Sequence, residues 1–146
     1  MTYKSLIGDM NAKTTLLEDV TVPDDSLFEM FDEFDNQSLI PYMYDYQNLI
    51  LKGISLIRKS DDLSPPNKYR YRLIDLSKRN NLYIGNNRLP GNDFMKGKRT
   101  LNNISLIDYF LLSSPVFSLI KLFDVLDFNP YFLMSTVVCV LAYMLQ

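Results

Sequence analysis

An aspartate and an asparagine near the start of this chain stand where they could act on a phosphodiester. Asp9 and Asn11 follow a short segment rich in β-formers, so both side chains are expected where a strand ends, at one edge of a sheet. There the carboxylate could orient or deprotonate an attacking water, and the amide could donate to a phosphate oxygen. Asp and Asn beside Gly8 are also ordinary turn residues, so the pair does not establish a site by itself.

A second aspartate, Asp108, lies within the apolar segment of residues 104–112. A carboxylate there is costly unless it is hydrogen-bonded, charge-paired or placed at the rim of a site. We therefore expect it either at a rim or held by local backbone donors. The loop of residues 88–100 is basic and contains glycine, which suits a phosphate backbone, and a plain surface hairpin is the alternative.

The composition excludes several kinds of site. The 146 residues include no histidine, which removes histidine triads and histidine-based metal sites, and the single cysteine, Cys139, excludes a disulfide framework. With 47% hydrophobic and 22% charged residues, the chain has the composition of one globular domain rather than of a disordered tail.

The net charge of −2 hides a segregation of charge along the chain. Residues 14–51 hold nine acidic side chains and no Lys or Arg, whereas residues 52–99 hold twelve basic side chains and four acidic ones. The second segment would attract a polyanion that the first would repel. Two solvated faces of one domain and a basic surface along a phosphate backbone both remain open.

The pattern along the chain predicts an α/β fold. Strands are expected over residues 2–7, 82–84, 104–112 and 125–128, and helices over 22–34, 69–81 and 116–123. Residues 42–60 are ambiguous and 61–68 form a loop. In the helix of residues 69–81 the spacing predicts three inward side chains, Tyr69, Leu73 and Leu76, and four outward ones, Arg70, Arg72, Lys78 and Arg79.

Two motifs in this order resemble a known superfamily. GDMNAKT, followed about ninety residues later by SLIDYFLLS, resembles the C-terminal half of the endonuclease/exonuclease/phosphatase (DNase I-like) superfamily. The intervening RLIDLSKRNNLYIGNNR and KGKRT are similar to segments of non-LTR retrotransposon endonucleases. The resemblance covers roughly residues 3–128 and implies part of a DNase I-like four-layer α/β sandwich, the C-terminal half only.

The resemblance also implies a role for individual residues. Asp9 matches the aspartate that handles the nucleophilic water, Asn11 the asparagine on the scissile phosphate, and Thr100 a threonine that frames the pocket. Asp108 matches the aspartate that orients the family's catalytic histidine. This chain contains no histidine that could take that role. The expected contacts to a DNA backbone are Lys13, Arg88, Lys98 and Arg99, with Thr100 beside them.

The resemblance implies Mg²⁺-dependent cleavage of DNA, and no small-molecule cofactor is expected. The family's metal-binding glutamate would lie upstream of Met1, so we assign no metal ligand and expect negligible activity from the isolated chain. Residues 1–131 are interpreted as an N-terminally truncated domain of this kind. A sandwich divided in this way would expose sheet edges that could pair with another chain.

Residues 132–146 are interpreted as an apolar tail in a shifted reading frame. The superfamily closes with Ser-Asp-His, and the codons TTT TCT GAT GTC CAC TGT would encode Phe-Ser-Asp-Val-His-Cys. Deleting one T makes the same bases read Phe-Leu-Met-Ser-Thr-Val, which are residues 132–137. A buried strand is the alternative for this tail, because fourteen uncharged residues are short for a membrane span.

Two other functions remain open from the sequence. One is a catalytically inactive nucleic-acid-binding module that uses the basic segment of residues 52–99. The other is a small membrane-associated protein that uses the apolar tail, although membrane association is the less favoured of the two. The first ten residues do not read as a signal peptide, which favours an intracellular location, nuclear or cytoplasmic, without indicating which.

Overall fold

The computed structural model of the protein describes residues 3–24, 40–58, 60, 65, 67–86, 88–89, 108–125 and 139–143. Within these ranges the strands are β1 (Ser5–Asp9), β2 (Tyr83–Ile84), β3 (Asp108–Leu112), β4 (Ile120–Val125) and β5 (Cys139–Tyr143). The helices are α1 (Ile40–Met43), α2 (Gln47–Leu51), α3 (Tyr69–Asn80) and a 3₁₀ helix over Ser114–Leu119. The described residues therefore combine helices with antiparallel strands, so the predicted mixture of α and β elements is present.

Strand β3 is the centre of a three-stranded antiparallel sheet with the order β1-β3-β2. Its register with β1 runs from Ser5 opposite Leu112 to Asp9 opposite Asp108. All five residues of β3 are buried, because both of its faces are covered. Such a strand appears in the sequence as a continuous apolar run rather than as an alternation, which is the pattern of YFLL.

The alternating side chains of β3 enter two hydrophobic clusters, one on each face of the sheet. Phe110 and Leu112 pack with Leu49 of α2, with the 3₁₀ helix and with Phe123 of β4. The rings of Phe110 and Phe123 stack with centroids 5.7 Å apart, which joins β4 to the sheet. The second cluster packs α3 against the opposite face; its members are Ala12, Leu73, Ile74, Leu82, Ile84, Tyr109 and Leu111.

Helix α3 confirms the helix predicted over residues 69–81, but the side chains that it buries differ from those predicted. It ends at Asn80, where the left-handed Asn81 (φ 48°) donates its N–H to the carbonyl of Ser77. The buried side chains are Leu73, Ile74 and Ser77, whereas Tyr69 and Leu76 are 39% and 40% exposed. The prediction that these last two face inward is therefore wrong, since the sheet accepts the 73–74–77 stripe instead.

The predicted helix over residues 116–123 is wrong in its second half. The 3₁₀ helix ends at Leu119, and β4 begins at Ile120, five residues before the strand predicted over 125–128. Ile120 and Phe123 are buried and Lys121 is exposed, so these positions serve a strand packed on the sheet. The ambiguous segment of residues 42–60 contains the end of α1 and all of α2.

Strand β5 lies within the predicted tail of residues 132–146 and pairs antiparallel with β4. A strand here agrees with the alternative interpretation of the tail, while the shifted reading frame stays a prediction. The predicted helix over residues 22–34 lies almost wholly outside the described residues, as does most of the loop over 61–68. Among the helices of the described ranges, none is long and apolar enough to cross a membrane.

The core also contains a buried carboxylate, Asp19, which contacts two buried arginines. Arg88 donates from Nη1 and Nη2 to the two carboxylate oxygens, at 2.6 and 2.8 Å. Arg58 approaches the same group through Nε at 3.6 Å, and the backbone N–H of Ile84 donates to it at 2.6 Å. One negative charge therefore serves two positive charges that have almost no access to water.

The remaining donors of the two arginines join three separate chain segments. Arg58 Nη2 donates to the carbonyl of Leu17 at 2.6 Å. Burial lowers the pKa of the Arg58 guanidinium, and the attraction of Asp19 opposes this shift. Arg88 donates to the carbonyls of Ser55, Leu56 and Ile84, at 2.9, 2.5 and 3.0 Å. The cluster thus connects residues 17–19, 55–58 and 84–88.

Replacing the buried carboxylate in Asp19→Asn is expected to lower the free energy of unfolding by about 3–5 kcal/mol, because two buried guanidinium groups lose their counter-charge. The matched control is Asp75→Asn, since Asp75 also pairs with an arginine, Arg79, but at the surface. That change should cost less than about 1 kcal/mol. Urea denaturation measures both, and equal losses would contradict the assigned role of Asp19.

The hydroxyl of Tyr83 is expected to lower the free energy of unfolding at alkaline pH. Burial raises the pKa of Tyr83, and the carboxylate of Asp45, which accepts its hydrogen bond at 3.0 Å, raises it further. Unfolded tyrosine releases its proton near pH 10, so above about that pH the unfolded state is favoured progressively. We expect the urea midpoint of Tyr83→Phe to fall less between about pH 8 and pH 11 than that of the unsubstituted protein. Parallel decreases in both proteins would refute this.

Candidate functional site

Residues of both sequence motifs meet at one edge of the three-stranded sheet. Asp9 is the last residue of β1 and Asp108 the first of β3, and the two are direct partners in the antiparallel register. Directly opposite residues project to the same face, with Cβ atoms about 5 Å apart. Asp9 is exposed and Asp108 is 7% exposed, so one carboxylate faces solvent while the other lies beneath the surface.

The turn after β1 takes its shape from Asp9 itself. The carboxylate Oδ1 of Asp9 accepts the backbone N–H of Asn11 at 2.8 Å, as in a local aspartate turn. Asn11 is exposed and has a φ of 50°, a left-handed conformation that asparagine tolerates better than most residues. The turn chemistry weighed from the sequence is therefore present. It also holds the carboxylate of Asp9 close to the exposed Asn11.

Tyr109 holds the next part of this loop from below. Its hydroxyl donates to the carbonyl of Ala12 at 2.9 Å and accepts the N–H of Thr14 at 3.2 Å. The hydroxyls of Thr14 and Tyr109 are also 3.0 Å apart. Because Tyr109 follows Asp108 in β3, one strand both presents the buried carboxylate and anchors the loop that carries Asn11. The sequence alone did not indicate this role of Tyr109.

Two asparagines complete this edge of the sheet. Asn86, 2% exposed, donates from Nδ2 to the carbonyl of Asp108 at 3.1 Å and accepts the N–H of Phe110 on Oδ1 at 2.8 Å. Asn67 donates to the carbonyl of Asn11 at 2.6 Å and accepts the N–H of Lys13 at 3.2 Å. The first amide fixes the start of β3, and the second fixes the loop after β1. Sequence reasoning assigned neither of them a role.

Gly85 allows Asn86 to approach β3. Its N–H donates to the carbonyl of Phe110 at 2.6 Å, and a Cβ at this position would lie 3.0 Å from that same oxygen. Such a contact is tighter than most real Cβ contacts, and the oxygen belongs to the backbone, so a larger residue would require β3 to move by a few tenths of an ångström. The glycine therefore serves the close approach of two backbones.

The predicted phosphate-binding residues are distributed differently from the expectation. Lys13 is half-buried in the loop beside Asp9. Arg88 faces inward, with its side chain fully buried and its guanidinium donors bound to Asp19 and three carbonyls. It is therefore not free to contact a phosphate backbone, because breaking the buried ion pair would be costly. Three predicted residues lie outside the described ranges: Lys98, Arg99 and Thr100.

The described residues do not form a complete metal site. No group of three or more acidic, histidine or cysteine side chains in the described ranges could hold an ion. The facing pair of Asp9 and Asp108 could supply two carboxylates, whereas an octahedral Mg²⁺ needs six oxygen ligands from protein, water and substrate.

Comparison of the chain with protein-family models, with curated proteins and with solved structures finds no match in any of the three.

The anchoring role of Tyr109 is tested by Tyr109→Phe, which removes one hydroxyl from the core. We expect the free energy of unfolding to fall by about 1–3 kcal/mol, because the buried groups of Ala12 and Thr14 lose their partner. Hydrogen exchange of the amides of residues 12–15 should accelerate more than that of α3.

The matched control is Tyr3→Phe, which removes the same atom from a residue that is 64% exposed, and it should leave both measurements unchanged. Uniform acceleration of exchange across the chain would show that the hydroxyl supports the fold in general and not this loop.

Proposed function

We propose that this chain is the C-terminal half of a DNase I-like phosphodiesterase fold that acts on DNA. The observation that carries the proposal is the register of β1 against β3, in which Asp9 of the GDMN motif faces Asp108 of the SLIDY motif. The motifs are about ninety residues apart in sequence, yet their carboxylates share one face and one edge of a sheet. Two carboxylates that act in the same reaction would have to lie close together in this way.

The proposed chemistry follows from the exposure of each group. The exposed carboxylate of Asp9 orients or deprotonates water, and the amide of Asn11 donates to a non-bridging phosphate oxygen. Asp108, buried beneath them, would position a histidine through a carboxylate–imidazole hydrogen bond. Since the sequence contains no histidine, we expect the isolated chain to cleave DNA no faster than background.

Contacts to the phosphate backbone are proposed at the surface of the basic segment. Lys13 lies beside the catalytic loop, and the proposed contacts at Lys98, Arg99 and Thr100 rest on the sequence. We leave Arg88 out of this set because its charge is neutralised inside the protein by Asp19. The exposed cations of α3 replace it in this set. A solvated guanidinium or ammonium can bind a phosphate without breaking a buried ion pair, whereas a buried one cannot.

Mg²⁺ is proposed as the metal of the complete fold, where it would neutralise charge that develops on the phosphate. Its principal ligand would have to come from residues other than those described.

Pairing with another chain is proposed at β1, an outer strand in the β1-β3-β2 order, where Leu6 and Ile7 are 41% and 49% exposed.

Binding of nucleic acid without cleavage is a second candidate function. It is favoured by the exposed cations of α3, which do not depend on the absent histidine. The two candidates make the same prediction for salt-dependent binding and differ only in cleavage by a completed domain.

The coding DNA on both sides of this reading frame tests the phosphodiesterase proposal. We expect the upstream DNA to encode a glutamate of the metal site, and the frame that overlaps residues 133–137 to encode Ser-Asp-Val-His. A domain expressed with both restored should nick supercoiled plasmid in Mg²⁺ and stop in EDTA. Asp9→Ala should then lower the rate about 10²–10⁴-fold, since the carboxylate handles the attacking water.

Glu18→Ala is the control for the restored domain, because it removes an exposed carboxylate that belongs neither to α3 nor to β1 and β3. Its nicking rate should equal that of the restored domain. A neighbouring frame without Ser-Asp-Val-His, or a restored domain in which Asp9→Ala retains full activity, would refute the proposal.

A further inference from the structure

The solvent-exposed face of α3 concentrates positive charge. At 100° per residue, its exposed positions follow one stripe opposite the buried Leu73, Ile74 and Ser77. Four exposed cations lie on or beside this stripe, and Asp75, the one acidic residue within α3, is held by Arg79 at 2.8 Å. These cations are Lys68, Arg72, Lys78 and Arg79.

An aromatic ring lies among these cations. Tyr71 is 58% exposed, and the guanidinium carbon of Arg70 lies 4.2 Å from its ring centroid. Arg70 also donates to the Tyr71 hydroxyl, so the side chain is held at both its ring and its tip. A large aromatic side chain left open to water, and held in place by its neighbour, is suited to stacking against a flat ligand.

We propose that the outer face of α3 binds single-stranded nucleic acid, with an unpaired base stacked on Tyr71 and the flanking phosphates on Lys68, Arg72 and Lys78. The cations alone would bind any polyanion, and the exposed ring of Tyr71 favours a polyanion that carries unpaired bases. In a duplex, both faces of each base are already covered by its neighbours, whereas an unpaired base offers a free face. This inference deepens the proposed function, since it rests on nucleic acid being the partner, and it adds the strandedness of the ligand.

The helix also provides the right length of track. From Lys68 to Arg79 the face extends about 16 Å at 1.5 Å per residue, with cations at both ends. Tyr71 is near one end and three residues from Lys68, a spacing at which two side chains on a helix are neighbours, so a base stacked on Tyr71 would leave a phosphate beside Lys68. The inner face of α3 is packed on the sheet, so the binding surface is preorganised.

Fluorescence anisotropy of the full chain with labelled oligonucleotides tests this inference. An oligothymidylate of about 12 nucleotides and a duplex of the same length are compared at several salt concentrations. We expect the single strand to bind more tightly and Tyr71→Ala to weaken its binding about tenfold, while duplex binding changes little. Tyr71→Phe should retain single-strand binding because the ring remains.

Tyr3→Ala is the matched control, as it removes an exposed tyrosine, 64% exposed, that precedes β1 and lies outside α3. It should leave binding unchanged, and circular dichroism should show the same folded state for all variants. Arg72→Gln and Lys78→Gln should each reduce the slope of log K against log salt by about 0.7, the value for one phosphate contact on a single strand.

Equal weakening of single-strand and duplex binding by Tyr71→Ala would overturn the inference, and so would the absence of any effect. Heparin has no bases, so it should displace the oligonucleotide with equal affinity from the unsubstituted protein and from Tyr71→Ala. A heparin affinity that falls as much as the single-strand affinity in Tyr71→Ala would indicate a general polyanion surface, which also overturns the inference. Failure of the proposed function is distinguishable. If the coding DNA lacks Ser-Asp-Val-His while the Tyr71-dependent preference persists, the proposed function fails and this inference stands. If the coding DNA encodes Ser-Asp-Val-His and the preference is absent, this inference fails and the proposed function stands.

Discussion

Among the residues that the structure describes, the buried carboxylate of Asp19 is the charge that joins the largest number of separate chain segments in the core. It is buried with two guanidinium groups, and moving Arg88 into water would remove both of the short hydrogen bonds that this arginine donates to Asp19. The cost of desolvating these groups is recovered only if the segments of residues 17–19, 55–58 and 84–88 meet with the right geometry. The cluster therefore determines where the segment after β1 and the turn after β2 can lie relative to each other.

This constraint reaches the candidate site through short hydrogen-bonded steps. Arg58 also lies 3.4 Å from the hydroxyl of Thr14, and Thr14 contacts the hydroxyl of Tyr109. Tyr109 in turn stands beside Asp108, which faces Asp9 across the sheet. Polar groups that have no water must satisfy one another, so each position restricts the next. The exposed turn of Asp9 and Asn11 is thus supported by a chain of contacts that begins at a buried ion pair.

The two proposed binding features share one foundation. Leu73 and Ile74 on the inner face of α3 pack in the same hydrophobic cluster as Ala12 and Tyr109, which form the base of the loop after β1. The outer face of the helix, with Tyr71, is therefore held at a fixed position relative to the carboxylates of the sheet edge.

Local chemistry in the sequence determined two of the elements. The left-handed Asn81 ends α3 after Asn80, and the apolar run of residues 109–112 forms a buried strand. The aspartates at the ends of β1 and β3 were also readable as motif residues, although only strand pairing placed them opposite one another. The tertiary structure alone decided that Arg88 lies inward, because its partner Asp19 is 69 residues away and a lone arginine in a basic segment reads as a surface residue. It also decided which stripe of α3 is buried and that residues 120–125 form a strand. Each of these outcomes depends on what packs against the segment, and helical spacing or residue preference within the segment carries no information about a distant partner.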